Sequence, residues 1–363
     1  MIQSNFRNIQ VSGIMTVVPK KKDILAEKYE DIFGKDVVED FSKKVGIVER
    51  RISEQEQTAS DLAFVAARNL LERKKIDKSE IGILIFVTET PDYRIPATAC
   101  ILHKRLELEK DCIAFDVNLG CSGYVYGFQI VASLLEATGE KYGLLLVGDT
   151  LNKAIAPEDR SSAMLFGDGG SATLLKREEN AGIIHTACRT DGSGFKSIII
   201  PAGCYRNRGA DSERRLWSDG NKRSEYDVYL NGVDVFSFAI TEVPAIINEF
   251  FDIHNGVKEN YDSYILHQAN CYILKQIAKR SKLPEKKVPV SLDRYGNTTA
   301  TSIPLTICDK YGEAKGQKSL SIFTCGFGVG QSWGIVDFEI KQDDIYPIIE
   351  TNEHYEDGGV SHD

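Results

Sequence analysis

The stretch FDVNLGCSGYVYG, residues 115–127, joins an apolar run to a sharp corner and then to a helix-like segment. Read backward, the apolar run reaches Cys112, so Cys112–Val117 has the length and character of a buried strand. Asn118-Leu-Gly120 breaks the run, and Gly123 onward carries the spacing of a helix. Cys121 stands at the corner between the two.

Further buried-strand runs surround this one. Ile81–Val87, Tyr142–Val147 and Ser171–Leu175 lie in the first half, the last after the glycine turn Gly167-Asp-Gly-Gly170. Tyr264–Leu266, Val288–Leu292, Ser319–Phe323 and Trp333–Phe338 lie in the second, the last after Gly326-Phe-Gly-Val-Gly330. The strands starting at Cys112 and Tyr142 are 30 positions apart, and those starting at Val288 and Ser319 are 31 apart. Such self-similarity marks an internal repeat. Each half reads strand, helix, strand, helix, strand, glycine turn, strand, which implies α/β layers with helices covering mostly parallel sheets. The expected units are an N-terminal half over 1–180, a C-terminal half over 181–341 and an acidic tail over 342–363, expected to fray.

The bulk properties agree with this. The chain has 363 residues, 42% of them hydrophobic, enough for a substantial core. A formal net charge of −9 argues against a general nucleic-acid surface. No C-x-x-C pair occurs among the eight cysteines, so neither a zinc site nor a disulfide framework is expected. The N-terminus has no signal-peptide pattern, and no apolar run has the length of a membrane span. A cytoplasmic protein with reduced thiols is expected.

The repeat pairs two corners. Cys121 opens a helix after the second strand of the first half, and YGNTTA (295–300) opens one after the matching strand of the second. His267 follows the first strand of the second half. In open α/β sheets such strand ends are where ligands bind. A thiol at a helix N-terminus is expected to have a lowered pKa and to act as a nucleophile toward a thioester. Free backbone N–H groups there would hold an oxyanion. Plainer readings stand beside these: Cys121 as a small buried residue, Asn297 as a cap or turn residue.

DVNLGCSGYVYG (116–127), HQAN (267–270) and YGNTTATSIP (295–304) resemble β-ketoacyl-acyl-carrier-protein synthase III of the thiolase superfamily. APEDRSSAMLFGDGGSATLL (156–175) and GFGVGQSWG (326–334) are similar to its signatures, and the likeness covers roughly residues 8–340. The resemblance implies a thiolase-like fold of two pseudo-duplicated α/β halves in an α-β-α-β-α arrangement, working as a homodimer. It implies Cys121 as the acyl-accepting nucleophile, with His267 and Asn297 binding the carbonyl of a malonyl thioester. Loss of CO2 there leaves an enolate that attacks the acyl group. The N–H of Cys121, with the turn near Gly328, would hold the other oxyanion. Arg160 would lie beside a coenzyme A entrance, Asn270 would contact the pantetheine arm, and Phe236 and Phe327 would line the substrate tunnel. Acyl carrier protein is the implied partner, acyl-CoA or an acyl carrier thioester the substrate, and neither metal nor cofactor is required.

Departures from that pattern bear on specificity. Asp40 stands where typical members stack a tryptophan on adenine, and Lys44 replaces a nearby arginine. The acidic Asp40 disfavours the nucleotide's phosphates and offers no stacking face, which counts against coenzyme A as donor. Tyr272 replaces an arginine implicated in carrier docking, leaving Lys279 and Arg280 on the same predicted helix, with the basic loop 201–225, to meet an acidic carrier. Ile95 takes the place of the phenylalanine that closes the partner's acyl pocket.

The expected reaction is a decarboxylative condensation for fatty-acid initiation or a specialised pathway. An acyltransferase of the same fold would have altered the His or Asn, and a non-catalytic partner subunit would have lost Cys121. A nucleotide-binding redox enzyme is set aside, because neither glycine turn opens a helix with a dinucleotide fingerprint.

Overall fold

The computed structural model describes residues 1–254, 256, 258–314 and 316–356. Two sheets carry the duplication. The first runs, edge to edge, through Ile349–Thr351, Ile9–Pro19, Gly169–Arg177, Tyr142–Asp149, Ile81–Val87 and Ile113–Val117. The second runs through Ile2–Phe6, Ile184–Thr190, Ser332–Lys341, Ser319–Gly328 and Ser263–Leu266. In each, an antiparallel pair of long strands leads into parallel ones, in the same spatial order.

Ile81–Val87 and Tyr142–Asp149 are buried along their whole length, as their unbroken apolar runs require. The helices Gly123–Thr138 and Ser302–Tyr311 lie between the sheets and pack on both. Tyr124, Phe128, Val131, Ile303 and Ile307 join that central core to Val87, Leu145 and Val336. Ala59–Lys74 and Thr98–Arg105 cover the outer face of the first sheet, and Gly232–His254 with Cys271–Arg280 that of the second. The result is the layered α-β-α-β-α arrangement.

One expected strand does not form. Val288–Leu292 pairs with no neighbour, and Leu292–Tyr295 is a short helix. Pro289 has no N–H to give a ladder. The buried Gln268 side chain instead accepts from Ser291 N at 3.0 Å, while its Nε2 donates to Leu266 O at 2.8 Å and Pro289 O at 3.4 Å. An amide side chain thus stands where the first half has the strand Ile113–Val117.

The acidic tail does not fray over its described part. Ile349–Thr351 adds in parallel to Ile9–Pro19. Arg51 pairs with Glu350 at 2.6 Å, Arg68 with Glu353 at 3.0 Å, and Tyr355 packs edge-on against Phe64. Residues 357–363 lie outside the described residues. Among the described residues, no helix is long and apolar enough to cross a membrane.

Candidate active site

Cys121 and His267 follow the carboxyl ends of strands, whereas Asn297 follows the short helix Leu292–Tyr295. After Ile113–Val117 the chain turns through Gly120, whose carbonyl accepts from Gly123 N at 2.6 Å, and the helix starts with Cys121 in that turn. Ser122 Oγ bonds Ser332 Oγ at 2.6 Å, tying the turn to the second sheet. Gly328 permits the close approach of the two halves. A Cβ on it would lie 2.6 Å from the Cys121 Cβ and 3.0 Å from Sγ.

His267 extends the strand Ser263–Leu266, and its N–H donates to Cys325 O at 2.9 Å. Its Nδ1 lies 2.8 Å from Ser302 Oγ, which also receives the Gln268 N–H at 3.3 Å. With one N–H accepted there, the Ser302 hydroxyl proton suits Nδ1, and Nε2 then carries the ring's proton. Phe327 stands edge-on to the imidazole, with centroids 5.3 Å apart. Asn297 is held by its backbone, with N–H to Leu165 O at 3.0 Å and carbonyl to Gly167 N at 3.0 Å. Its Oδ1 accepts from Thr299 N at 3.0 Å, leaving the amide nitrogen as its free polar end.

Cys121, His267 and Asn297 line one cavity of about 110 Å³. They are 5%, 2% and 5% exposed. Asn270, Phe236, Phe327 and Gly328 line it too. Asn270 is also the cap of its helix, with Oδ1 accepting from Ile273 N at 2.7 Å. Phe236 stacks on the exposed Tyr272 at 5.7 Å.

Arg160 lies outside the cavity lining, next to Asp40 and Lys44, the two positions that the resemblance sets at a coenzyme A entrance. These residues border an outer groove with Asp219, where Lys44 is paired with Asp40 at 2.8 Å. Arg280 is exposed, as Lys275 and Lys279 are, and spends one guanidinium N–H on Ile240 O at 3.0 Å. Most of the positive charge of the loop 201–225 is paired: Arg223 is buried against Asp159 and Asp219, Arg214 pairs with Asp227, Arg215 with Asp211, and Lys222 with Glu158, while Arg206 and Arg208 have no ion pair among the described residues.

The electrostatics also correct an expectation. The Cys121 thiol is pushed well above its ordinary value, first by burial and then by the charges of Glu89 and Asp149. The N–H groups of Cys121 and Val329 oppose this without reversing it. Burial lowers His267 to about 3, so its ring is neutral. Glu89 lines the cavity and rises to about 8 through burial and the neighbouring Asp149 charge. Asp149 rises to about 6 through burial, held down by donors from Thr299, Glu89, Thr88 and Thr90. The motif reading passed over Glu89, Asp149 and Thr299. The signal for Glu89 was a carboxylate just past a wholly apolar strand, at the sheet end where ligands gather.

The family described as 3-Oxoacyl-[acyl-carrier-protein (ACP)] synthase III matches residues 115–192, and its C-terminal family matches residues 254–340. A β-ketoacyl-[acyl-carrier-protein] synthase III of Clostridium perfringens is 35% identical over 79% of this chain and 86% of its own length. One from Blochmanniella pennsylvanica is 31% identical over 90% of this chain and 97% of its own. The crystal structure of a 3-oxoacyl-(acyl-carrier protein) synthase from Burkholderia xenovorans LB400 superposes with a TM-score of 0.91 at 34% identity, covering 96% of this chain and 99% of that one. The likeness spans both halves and all three corners, and the chain belongs to the β-ketoacyl-acyl-carrier-protein synthase III family of thiolase-fold condensing enzymes.

Proposed function

We propose that this chain loads an acyl group onto Cys121 and extends it with a malonyl unit delivered by an acyl carrier protein. Sγ attacks the acyl thioester, the donor thiol leaves, and an acyl-cysteine remains. The malonyl thioester then loses CO2, and the electron pair of the broken C–C bond becomes an enolate. Its carbon attacks the acyl carbonyl, the C–Sγ bond breaks, and a β-ketoacyl carrier departs.

The observation carrying this reading is the convergence of a buried thiol with two oriented donors on one cavity. His267 Nε2–H and the Asn297 amide would bind the enolate oxygen, where preorganised donors act most strongly. The N–H groups of Cys121 and Val329 flank the sulfur and suit the oxyanion of the acyl-cysteine. Asn270 and Phe236, on the cavity wall, suit the pantetheine arm and acyl chain.

The reading extends to partners. Tyr272, Lys275 and Lys279 form one exposed face of Cys271–Arg280 beside the cavity, suited to an acidic carrier. Asp40 and the neutralised Lys44 beside Arg160 offer little to nucleotide phosphates, which favours a carrier-bound acyl donor. A homodimer is supported by the open edge Ile113–Val117, with Ile113 42% and Phe115 37% exposed, and by Ile95 at 79%.

Intact mass after mixing with acyl thioesters, then malonyl carrier protein, tests this. An adduct on Cys121 that clears to a β-ketoacyl carrier is the expected result. An adduct persisting until an alcohol or amine arrives would make the chain an acyltransferase instead, and no adduct from any donor would leave the non-catalytic subunit.

A further inference from the structure

Glu89 has no part in the chemistry above, yet it faces the same cavity as Cys121. Its carboxylate rests on Gly120, the residue before the nucleophile: a Cβ there would lie 2.3 Å from Oε2. Its backbone N–H donates to Asp149 Oδ1 at 2.7 Å. Asp149 also receives Thr88 Oγ1 at 3.1 Å, Thr90 Oγ1 at 3.2 Å and the Thr299 hydroxyl. The Glu89 carboxyl receives none of this: among the described residues it has no hydrogen-bond partner. One carboxylate is thus surrounded by donors, and its neighbour is left open to the cavity.

The reaction has one step that needs such a group. Decarboxylation supplies its own electron pair and asks for no base. Acylation must remove a proton from the Cys121 thiol and deliver one to the departing thiolate. His267, neutral down to about 3, is a poor acceptor, whereas a group near 8 is matched to neutral pH.

We propose that Glu89 is the proton carrier for acylation of Cys121. Its carboxylate takes the Sγ proton as Sγ bonds to the thioester carbonyl carbon. The tetrahedral intermediate then expels the donor thiolate, breaking the C–S bond, and the Glu89 acid returns the proton to that sulfur. The charges balance, and Glu89 ends as it began. The inference rests on the reading of Cys121 as the acyl acceptor.

The test compares wild type with Glu89→Gln and Glu89→Asp in two reactions of Cys121, each followed by intact mass across pH. The first is transfer from acyl carrier thioesters. The second is alkylation by iodoacetamide, whose iodide leaves without a proton. Glu89→Gln is expected to slow acyl transfer about 100-fold or more and to remove the rise through about pH 8. Alkylation also sheds the Sγ proton, but it needs no proton on its leaving group and loses the repulsion of a neighbouring carboxylate, so it should be slowed far less than acyl transfer. Glu89→Asp, keeping a carboxyl, should recover part of the acylation rate. Acylation of Glu89→Gln at the wild-type rate would overturn the proposal, as would an unaltered pH profile, a parallel loss of both reactions, or a loss confined to condensation. Wild type that alkylates but accepts no acyl group would overturn this proposal together with the reading of Cys121.

Discussion

Asn297 Oδ1 accepts the backbone N–H of Thr299 at 3.0 Å, and this bond decides which end of the amide is available to the cavity. Thr299 in turn donates its hydroxyl to Asp149, so the amide is held through a residue of the other half. Asn297→Ala is expected to leave acylation of Cys121 within a few-fold of wild type and to lower condensation by about 100- to 1,000-fold, the usual scale for one oxyanion donor. Single-turnover assays that separate acyl loading from malonyl consumption check it. An equal loss in both steps would mean that Asn297 shapes the site without binding the enolate.

Gly328 permits the contact between the glycine strand and the nucleophile. A methyl at this position would sit 2.6 Å from the Cys121 Cβ. Gly328→Ala should displace the thiol, cost about 1–3 kcal/mol by overpacking, and slow acylation at least about tenfold. Thermal unfolding and the acylation rate read the two effects.

Lys275 and Lys279 share an exposed helix face, while Arg280 is tied to Ile240 O. Reversing both lysines to glutamate should raise the KM for malonyl carrier protein by about 10-fold or more, steeply at low salt, with kcat little altered. Arg280→Ala should have the smaller effect on KM and the larger on stability. The opposite ranking would move the docking surface.

Glu89 and Asp149 give the fold a specific pH dependence. Glu89 titrates at about 8 in the folded protein and at 4.5 when unperturbed. Below 4.5 both states hold the proton and nothing is lost. Between 4.5 and about 8 the unfolded chain releases it first, so stability falls as pH rises, then levels off. Glu89→Gln removes that loss. Its unfolding free energy should match wild type near pH 4 and exceed it by on the order of a few kcal/mol above pH 8. Denaturant titrations across this range check the widening gap.

Much of this protein is written in local sequence. Apolar runs at Ile81–Val87, Tyr142–Val147 and Ser319–Phe323 identified strands that the structure extends to Asp149 and Gly328 in the last two cases, because burial on both faces favours apolar side chains throughout. The duplication reappears as one strand order shared by the two sheets, although Val288–Leu292, on which the matching spacing rested, forms no strand. Cys121, His267 and Asn297 stood out because motif and strand end coincide, and they share a cavity.

What the tertiary structure decided depends on neighbours remote in the chain. The helix start alone argued for an acidic thiol at Cys121, but burial together with Glu89 and Asp149 pushes it the other way. Val288–Leu292 has the composition of a strand, yet Pro289 cannot donate and Gln268 supplies the bonds a ladder would have made. Arg214, Arg215, Lys222 and Arg223 of the loop 201–225 look free in sequence and are paired in space. The acidic tail looks unstructured until Arg51, Arg68 and an open strand edge receive it. Periodicity is a property of a few consecutive residues, so sequence carries it whole. Proton affinity, ion pairing and edge capture depend on distances that only the packed chain sets.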